Sequence, residues 1–382
     1  MFEVELPEEL QMLRSAVRRF VVEKVQPVSD LIEDTDKVPE SILAEMGEMG
    51  LFGITIPEEY GGTGLGALAY CLVREELGGV NHSVTAPIGT SNGIGSKALV
   101  LAGTEEQKKK YLPLIASGQK ICSFALSEPK AGTDAANIET TAVKDGDFYI
   151  LNGNKQFITN GPIADIFTVV ALTDRKLRAK GGITIFLVER GTPGFSNGPA
   201  EKKLGWHGSQ TSTLTFEDCR VPAENIIGNV GEGFKLTMKT LDTGRLGIAA
   251  TSLGAAKKLL HLSIDYANER VQFGQPIAKF QLIQEMIADM GTNIFATQAM
   301  LYEVAKRKDN GIDSTLDSSM VKLFASEMAW KAADQAVQIH GGAGYMKEYF
   351  VERLLRDVRL LRIFEGTSEI QKVIIASRLL KD

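Results

Sequence analysis

Apolar side chains recur with the period of an α-helix in the first part of the chain. Between Leu10 and Phe20 an apolar residue returns about every three or four positions, which is the spacing of one buried helix face. Further along, Thr104 and Gln107 have the spacing of a capping box at the start of another helix. These patterns predict an N-terminal α-helical domain over residues 1–118.

The pattern changes over residues 119–226, where short β-branched runs such as IFTVVALT and GGITIFLVE are separated by turn residues. The dipeptides Asp145-Gly146 and Asn152-Gly153 are typical of hairpin turns. No segment of helical length separates the runs, which disfavours βαβ units. We therefore predict a middle domain folded as a small antiparallel β-barrel.

Helical periodicity returns in residues 227–382, with long amphipathic stretches near 233–270, 277–309 and 316–341. Three or four helices of this length are typical of a bundle. The expected fold class is α+β and mostly α. It consists of an N-terminal helical domain, a middle antiparallel β-barrel and a C-terminal four-helix bundle.

The composition indicates a globular protein with buried cores. Of 382 residues, 44% are hydrophobic, and the formal charge of −6 comes from mixed signs without long runs of either, which disfavours binding to a polyanion. The N-terminal segment lacks the basic start and apolar core of a signal peptide, and no uncharged apolar run is long enough for a membrane span. We predict a cytoplasmic protein that binds neither nucleic acid nor membrane.

The three cysteines and four histidines are scattered along the sequence. None of them forms a CxxC, HExxH or similar spacing, so the sequence offers no disulfide framework and no metal site. The cysteines are expected to fill cores, and no bound metal is predicted.

Glu365 stands between the apolar Phe364 and Gly366 in the string FEGTSEIQ. An acid with such neighbours suits a dry pocket in which the backbone approaches a ligand closely. The alternative is an acid at a helix N-terminus, where the helix dipole favours negative charge. Taken alone, this string leaves both interpretations open.

Six strings of this sequence together resemble the flavin-dependent acyl-CoA dehydrogenases. They occur in the family's order and spacing and cover nearly the whole chain, which makes them far more specific jointly than singly. The strings are LSEPKAGTD (126–134), KQFITNG (155–161), LDTGRLGIAA (241–250), ERVQFGQPI (269–277), QIHGGAGY (338–345) and FEGTSEIQ (364–371). The family's fold agrees with the order of helices, β domain and helices.

The resemblance implies oxidation of an acyl-CoA to a trans-2-enoyl-CoA with FAD as cofactor, as in fatty-acid β-oxidation. Glu365 matches the family's base, which removes the Cα proton while flavin N5 accepts the Cβ hydride. Burial raises the proton affinity of such a base. Other members carry the base in an LDxERL string, but the matching residue here is Gly244, which cannot take a proton.

The resemblance also implies the contacts with FAD. Phe157 departs from the family, which usually has tryptophan there, and Glu369 stands where some relatives have glutamine. The residues matched to the flavin and pyrophosphate are Phe124, Leu126, Ser127, Gly132, Thr133, Phe157, Ile158 and Thr159. Those matched to the FAD of a neighbouring subunit are Arg270, Phe273, Gln281, Gln338, Gly341 and Gly342, with Thr367 and Glu369 on the adenine side.

Substrate contacts follow from the same matching. The backbone N–H of Glu365 is implied to polarise the thioester carbonyl. Asp242 and Arg245 are implied to hold part of the CoA, and the alternative for them is an ion pair within one helix. The residues matched to substrate are Thr133, Asp242, Thr243, Gly244, Arg245 and Gly366.

The acyl pocket is expected between residues 67–77 and 87–103. The second range is rich in small residues, which suits either a medium or branched acyl group or close helix packing. Glutaryl-type members hold a distal carboxylate with an arginine in this region, and no arginine occurs between Arg74 and Arg175. A dicarboxylic substrate is therefore disfavoured unless Lys97 faces the pocket.

The shared FAD contacts imply an obligate oligomer, and the family usually forms a homotetramer, a dimer of dimers. The family's electron acceptor is an electron-transferring flavoprotein. Three alternatives are an acyl-CoA oxidase, a flavin subunit of an electron-transfer or bifurcating assembly, and an inactive interaction protein. The presence of Glu365 argues against the last of these, and also against a nitroalkane oxidase, which uses an aspartate base.

Overall fold

Helices dominate the first part of the computed structural model, which describes residues 5–381. The buried face of the first helix carries Leu10, Val17 and Phe20, in agreement with the predicted period. The helices are α1 (Glu8–Phe20), α2 (Ser29–Thr35), α3 (Glu40–Glu48), α4 (Gly66–Gly78), α5 (Thr85–Gly89), α6 (Lys97–Ala102) and α7 (Glu105–Ala116).

The predicted capping box at the start of α7 is present. Thr104 Oγ1 accepts the Gln107 N–H at 3.2 Å, and Gln107 Oε1 accepts the Thr104 N–H at 3.0 Å. The Gln107 amide also donates to the carbonyls of Glu224 and Ile226, at 2.6 and 2.8 Å. Helix α7 is therefore capped and joined to the end of the sheet by one side chain.

An eight-stranded sheet follows the first helices. Along the sheet the strand order is β6-β7-β3-β2-β4-β5-β8, and β1 pairs with β4. The strands are β1 (Cys122–Ala125), β2 (Thr141–Asp145), β3 (Phe148–Thr159), β4 (Ile166–Leu172), β5 (Ile183–Glu189), β6 (Phe195–Asn197), β7 (Thr211–Pro222) and β8 (Ile226–Ile227).

The prediction of a closed antiparallel barrel is wrong, because the sheet is open and mixed. Strand β1 runs parallel to β4, and Thr141 of β2 pairs with Leu172 of β4 in a parallel register. Among the described strands, the outer β6 and β8, of three and two residues, pair only with β7 and β5. Sequence patterns reveal strands but not which edges meet, because pairing joins residues far apart in the chain.

One of the two predicted hairpin turns is present. Asp145 pairs with Phe148 across a tight turn at which Gly146 has a φ of 59°. The Asn152-Gly153 dipeptide is not a turn, because β3 continues through it and its register with β7 shifts there, as at a β-bulge. A glycine suits a bulge as well as a turn, which is why the dipeptide misled the prediction.

The C-terminal part is helical, as predicted. Helix α10 packs against α8, α9, α11 and α12. The helices are α8 (Gly233–Glu269), α9 (Gln281–Asp309), α10 (Thr315–His340), α11 (Phe350–Leu361) and α12 (Ser368–Leu379), and a short ladder of β9 (Val271–Gln272) and β10 (Gln275–Pro276) separates α8 from α9. Between residues 5 and 381 no helix is long and apolar enough to span a lipid bilayer.

Helices α4 and α8 cross closely enough to bring their polar side chains together. A Cβ at Gly254 would overlap the carbonyl oxygen of Glu75, so a glycine is needed for this approach of the two backbones. The same crossing lets Arg74 of α4 donate to Thr251 of α8 at 3.0 Å. This pair of helices forms one wall of the site described below.

A buried ion pair joins the segment after β1 to β3. Lys155 is 0% exposed, and its Nζ donates to Glu128 Oε1 at 2.8 Å and to the Leu126 carbonyl at 3.0 Å. Burial lowers the pKa of Lys155 to about 8, although the neighbouring Glu128 opposes this shift. Glu128 also accepts the Thr140 N–H at 3.0 Å. The pair therefore fixes the position of residues 126–128.

Lys155→Met is expected to lower the free energy of unfolding by about 3–5 kcal/mol, because it leaves the Glu128 carboxylate buried without its cation. Lys331→Met is the matched control, since Lys331 and Asp289 form an ion pair of 2.6 Å on the surface. The free energy of unfolding of this control should stay close to that of wild type. Urea unfolding at fixed protein and FAD concentrations measures both. Equal losses in the two variants would contradict the prediction.

Candidate functional site

A cavity of about 260 Å³ opens where the N-terminal helices, the sheet and the C-terminal helices meet. Its lining is mainly apolar, and the charged side chains on it are Arg74, Lys203, Arg245 and Glu365. Concave apolar sites with a few convergent polar groups are typical ligand sites. The cavity is therefore the candidate active site.

Three non-glycine residues on this cavity have a left-handed backbone. The φ angle is 59° at Phe157, 56° at Trp206 and 54° at Glu365. Such conformations cost on the order of 1–3 kcal/mol each and persist only where the surrounding structure enforces them. Their presence on one cavity supports its assignment as a functional site.

Glu365 lies in the tight connection between α11 and α12. The next residue, Gly366, has a φ of 91°, and its carbonyl accepts from Lys322 Nζ at 2.7 Å and from Gln371 Nε2 at 3.3 Å. Gln371 also donates to the Glu365 carbonyl at 3.1 Å. Thr367 caps the first turn of α12 with its side-chain oxygen. The buried Lys322 and Gln371 therefore fix the backbone around Glu365.

The carboxyl group of Glu365 is enclosed by protein. Its Oε2 is buried and has no hydrogen-bond partner among the described residues. Burial raises the pKa of Glu365 to about 7, and the nearby cations Arg74, Lys322 and Arg245 limit the rise. The residue as a whole is half-buried, and it borders the cavity. A carboxylate whose pKa lies near neutrality is suited to proton transfer.

Gly244 of α8 leaves room for this carboxyl group. A Cβ at position 244 would overlap it, coming within 2.5 Å of Glu365 Cδ. Side chains at positions 244 and 365 would thus occupy the same volume. The site has space for an acid at one of these positions, and the sequence places it at 365.

Asp242 and Arg245 form an ion pair within α8, which was the alternative left open from the sequence. Arg245 Nη1 donates to Asp242 Oδ1 at 2.6 Å and to Ser319 Oγ at 3.2 Å. Thr315 Oγ1 donates to the other carboxylate oxygen of Asp242 at 2.8 Å. Arg245 also lines the cavity, and its buried Nε has no partner among residues 5–381. The pairing within the helix therefore leaves Arg245 with a donor for a ligand.

Trp206 supports the side of the cavity next to Glu365. Its ring meets the Phe364 ring edge-on, with 5.3 Å between the centroids. The Trp206 backbone N–H donates to the Asp357 carboxylate at 2.5 Å. The Trp206 indole N–H donates to the Asp357 backbone carbonyl at 2.9 Å. These contacts hold Phe364, and with it the start of the connection that carries Glu365.

The wall opposite the helices comes from β1, β3 and the segment between them. Phe157 lies at a second shift in the register of β3 with β7, between Lys155 and Ile158. Phe157 is 66% exposed. The predicted residues that line the cavity are Phe124, Leu126, Ser127, Gly132, Thr133, Phe157, Ile158, Thr159, Arg245, Glu365 and Gly366.

The other predicted residues do not line this cavity. Asp242, Thr243 and Gly244 lie on α8 next to Arg245, and Thr367 caps α12. Phe273 is 93% exposed and has a φ of 52°. The remaining ones are also exposed, namely Arg270, Gln281, Gln338, Gly341, Gly342 and Glu369. Their matching to FAD stays a prediction.

Metal-ligating side chains are not grouped in the part of the chain that the structure describes. No set of three or more His, Cys, Asp or Glu side chains there is placed to hold a metal ion. The three cysteines, Cys71, Cys122 and Cys219, are free and buried. They fill cores, as the sequence predicted.

Sequence reasoning missed several residues of this site, and three of them are informative. Arg74 and Trp206 line the cavity, and Lys322 holds the backbone next to Glu365. Arg74 had a signal in the sequence, because it is a lone cation at the end of the apolar run ALAYCLV. Trp206 and Lys322 had none, since only the folded chain brings them beside Glu365.

Three family models match successive parts of the chain. The N-terminal domain model of the acyl-CoA dehydrogenases matches residues 7–119, the middle domain model residues 123–219, and the C-terminal domain model residues 231–380. Together they cover most of the sequence.

Relatives and solved structures give the same result. An acyl-CoA dehydrogenase of Bacillus subtilis (strain 168) is 44% identical over 373 residues, which cover 98% of each chain. The butyryl-CoA dehydrogenase structure from Megasphaera elsdenii has a TM-score of 0.96 and 39% identity, covering 99% of this chain and 100% of that one.

Two further structures bear on cofactor and partner. One describes the electron transferring flavoprotein of Acidaminococcus fermentans and flavin-based electron bifurcation; a chain in it has a TM-score of 0.96 and 42% identity, covering 100% of both chains. Another is an acyl-CoA dehydrogenase from Bacillus anthracis complexed with FAD, with a TM-score of 0.92 and 37% identity, covering 99% of this chain and 68% of that one. The resemblance is thus confirmed, and the chain belongs to the acyl-CoA dehydrogenase family of FAD-dependent oxidoreductases.

Proposed function

We propose that this protein dehydrogenates an acyl-CoA thioester between Cα and Cβ, with Glu365 as the base that removes the Cα proton. The observation that carries the proposal is the buried, unpartnered Oε2 of Glu365 on the cavity, together with a pKa raised to about 7 by burial. A base with this pKa is partly ionised at neutral pH and binds a proton firmly enough to take it from a weak carbon acid.

The backbone beside Glu365 is suited to polarise the thioester carbonyl. The backbone N–H of Glu365 has no acceptor among the described residues. The neighbouring Gly366 has no side chain and leaves space for a ligand. As the Cα proton leaves, negative charge develops on the thioester oxygen, and a fixed N–H donor stabilises that charge. Lys322 and Gln371 hold this backbone in place through the Gly366 carbonyl.

The sheet side of the cavity fits an isoalloxazine ring. Phe124 and Phe157 offer aromatic surface, and Ser127, Thr133 and Thr159 offer hydroxyl groups on the same cavity. A Cβ at Gly132 would meet nothing within 4 Å, so this backbone is open to a ligand. FAD, when bound, supplies the acceptor for the hydride that leaves Cβ. The other predicted FAD contacts are proposed for the FAD of a neighbouring subunit. They are Arg270, Phe273, Gln281, Gln338, Gly341 and Gly342, with Thr367 and Glu369 on the adenine side.

Electrons are proposed to pass to an electron-transferring flavoprotein. The support is the similarity to a chain in the flavoprotein structure from Acidaminococcus fermentans. The same similarity favours a second candidate, a subunit of an electron-bifurcating assembly that works with such a partner. A homotetramer, the domain boundaries 1–118, 119–226 and 227–382, and a cytoplasmic location stay predictions.

The proposed function is tested by anaerobic addition of butyryl-CoA and octanoyl-CoA to the FAD-loaded protein. The visible flavin absorbance should bleach and should return with an electron-transferring flavoprotein but not with air. Glu365→Gln should keep FAD and bind acyl-CoA but slow bleaching by about 10²–10⁴-fold, because the general base is lost. Glu303→Gln, an exposed acid on α9, is the control. Bleaching of the Glu365→Gln protein at the normal rate would refute the assigned base.

Glu365→Gln is also expected to become more stable than wild type as the pH rises from 5 to 8. The folded-state pKa of Glu365 lies above its ordinary value, so the folded state binds more protons than the unfolded state between about 4.5 and 7. Wild-type stability therefore falls through this window, whereas glutamine does not titrate. The gain at pH 8 should be about 1–3 kcal/mol, measured by thermal unfolding without CoA ligands. A stability difference between the variant and wild type that does not change with pH would contradict this prediction.

Gly244→Ala is expected to keep FAD and the fold but slow bleaching by about 10²-fold or more, because its methyl group displaces the carboxyl group of Glu365. Gly291→Ala is the matched control on α9, where a Cβ would meet nothing within 4 Å. Stopped-flow absorbance gives the rates, and far-ultraviolet circular dichroism checks the helices. Normal bleaching by Gly244→Ala would show that position 244 does not constrain Glu365.

A further inference from the structure

Trp206 lies where two walls of the cavity meet. On one side, the segment that contains it leads into β7, and Thr211 at the start of β7 pairs with Thr159 of β3 on the sheet wall. On the other side, its ring contacts the ring of Phe364, directly before Glu365. All five of these residues line the cavity. The indole therefore stands between the wall suited to a flavin and the connection that carries the base.

The protein holds the Trp206 ring in one position. The backbone and indole N–H groups both donate to Asp357, as described above. The ring of His82, which is 0% exposed, lies beside the indole, with 5.4 Å between the centroids. His82 Nδ1 is in turn 3.2 Å from Oδ2 of Asp357, the carboxylate oxygen that Trp206 does not use. An aromatic ring fixed in this way loses little conformational freedom when a ligand packs against it.

Trp206 offers a ligand only apolar surface. Its backbone carbonyl accepts the Ser209 N–H at 3.0 Å, and its two N–H groups donate to Asp357. Every polar group of Trp206 thus has a partner within the protein. What remains for the cavity is a small area of aromatic carbon, because the residue is 3% exposed. Such a surface suits the edge or face of another aromatic ring, and it does not suit the polar thioester.

The other aromatic residues on the cavity differ from Trp206 in their chemistry. They are Phe124, Phe157 and Phe364, and no tyrosine of residues 5–381 lines the cavity. An indole gives up an electron far more readily than a phenyl ring does. Trp206 is therefore the aromatic side chain on this cavity that a bound flavin can report on by its light emission.

We propose that Trp206 packs against the isoalloxazine ring of bound FAD and connects that ring to the segment that carries Glu365. The inference rests on the proposed function, which assigns the flavin to the sheet wall. It adds an indole to the contact predicted for Phe157. Because the same indole packs against Phe364, it helps to set the distance between the flavin and the base.

The test is the fluorescence of FAD bound to the protein, after gel filtration has removed free FAD. An excited isoalloxazine takes one electron from an indole in near contact and then returns it, which suppresses emission. Trp206→Phe should therefore raise the emission of bound FAD severalfold at equal FAD occupancy. Trp330→Phe is the matched control and should leave the emission unchanged, since Trp330 packs near Arg359 and Arg362 and does not line the cavity.

The affinity for FAD gives a second measurement. Trp206→Ala should weaken FAD binding by about 2–10-fold, which is the range expected for the loss of one aromatic contact. Trp206→Phe should keep most of the affinity, because a phenyl ring still packs against the flavin. The conservative variant thus separates the aromatic contact, which it retains, from the electron-donating indole, which it lacks.

Equal emission from wild type and Trp206→Phe would overturn the inference. An equal rise in Trp330→Phe would also overturn it. Unchanged emission together with an altered preference between butyryl-CoA and octanoyl-CoA would place Trp206 against the acyl group instead. If Trp206→Phe does not fold or retain FAD, transient absorption of the wild-type protein decides. Excitation of the flavin should then give the absorbance of an indole radical, and its absence would refute the contact.

These measurements use oxidised flavin and need no turnover, so they separate the inference from the proposed function. If no acyl-CoA bleached the wild-type flavin, the proposed function would fail whatever the emission showed. Bleaching of the wild-type flavin by butyryl-CoA, together with unchanged emission in Trp206→Phe, would reject only the role of Trp206.

Discussion

The burial of one carboxyl group, that of Glu365, is the constraint on which the site depends. Taking it out of water raises its pKa, and three cations on other elements limit that rise. Arg74 comes from α4, Arg245 from α8 and Lys322 from α10. The pKa near neutrality is therefore a property of the assembled helices. No single segment supplies it, and small movements of any of these helices would shift it.

The backbone around Glu365 shows what this placement costs and what compensates for it. A left-handed glutamate is strained, and its buried Oε2 has no partner among the described residues. Several contacts offset this cost. Lys322 and Gln371 donate hydrogen bonds to the carbonyls of Gly366 and Glu365, Thr367 caps α12, and Gly244 leaves space for the carboxyl group. Such concentrated strain with external support is typical of sites where reactivity is kept at the expense of stability.

The crossing of α4 and α8 links the fold to the charges around Glu365. Close approach at Gly254 lets the guanidinium of Arg74 bond with Thr251, and Gly89 leaves room for it. The same pair of helices thereby carries two cations, Arg74 and Arg245, that both act on the Glu365 carboxyl group. Packing between these two helices therefore sets part of the electrostatic environment of the base.

Much of this protein could be read from its sequence, because helical periods, capping residues and ordered motifs are local. The three long C-terminal helices, the capping box of Thr104 and the family's six strings all follow from short stretches of chain. The sequence alone did not decide how the strands pair, so the barrel was wrong and Asn152-Gly153 proved to be a bulge. It also did not show that Arg74 and Lys322 face Glu365. Sheet closure and side-chain direction depend on contacts between distant segments, and only the tertiary structure brings those segments together.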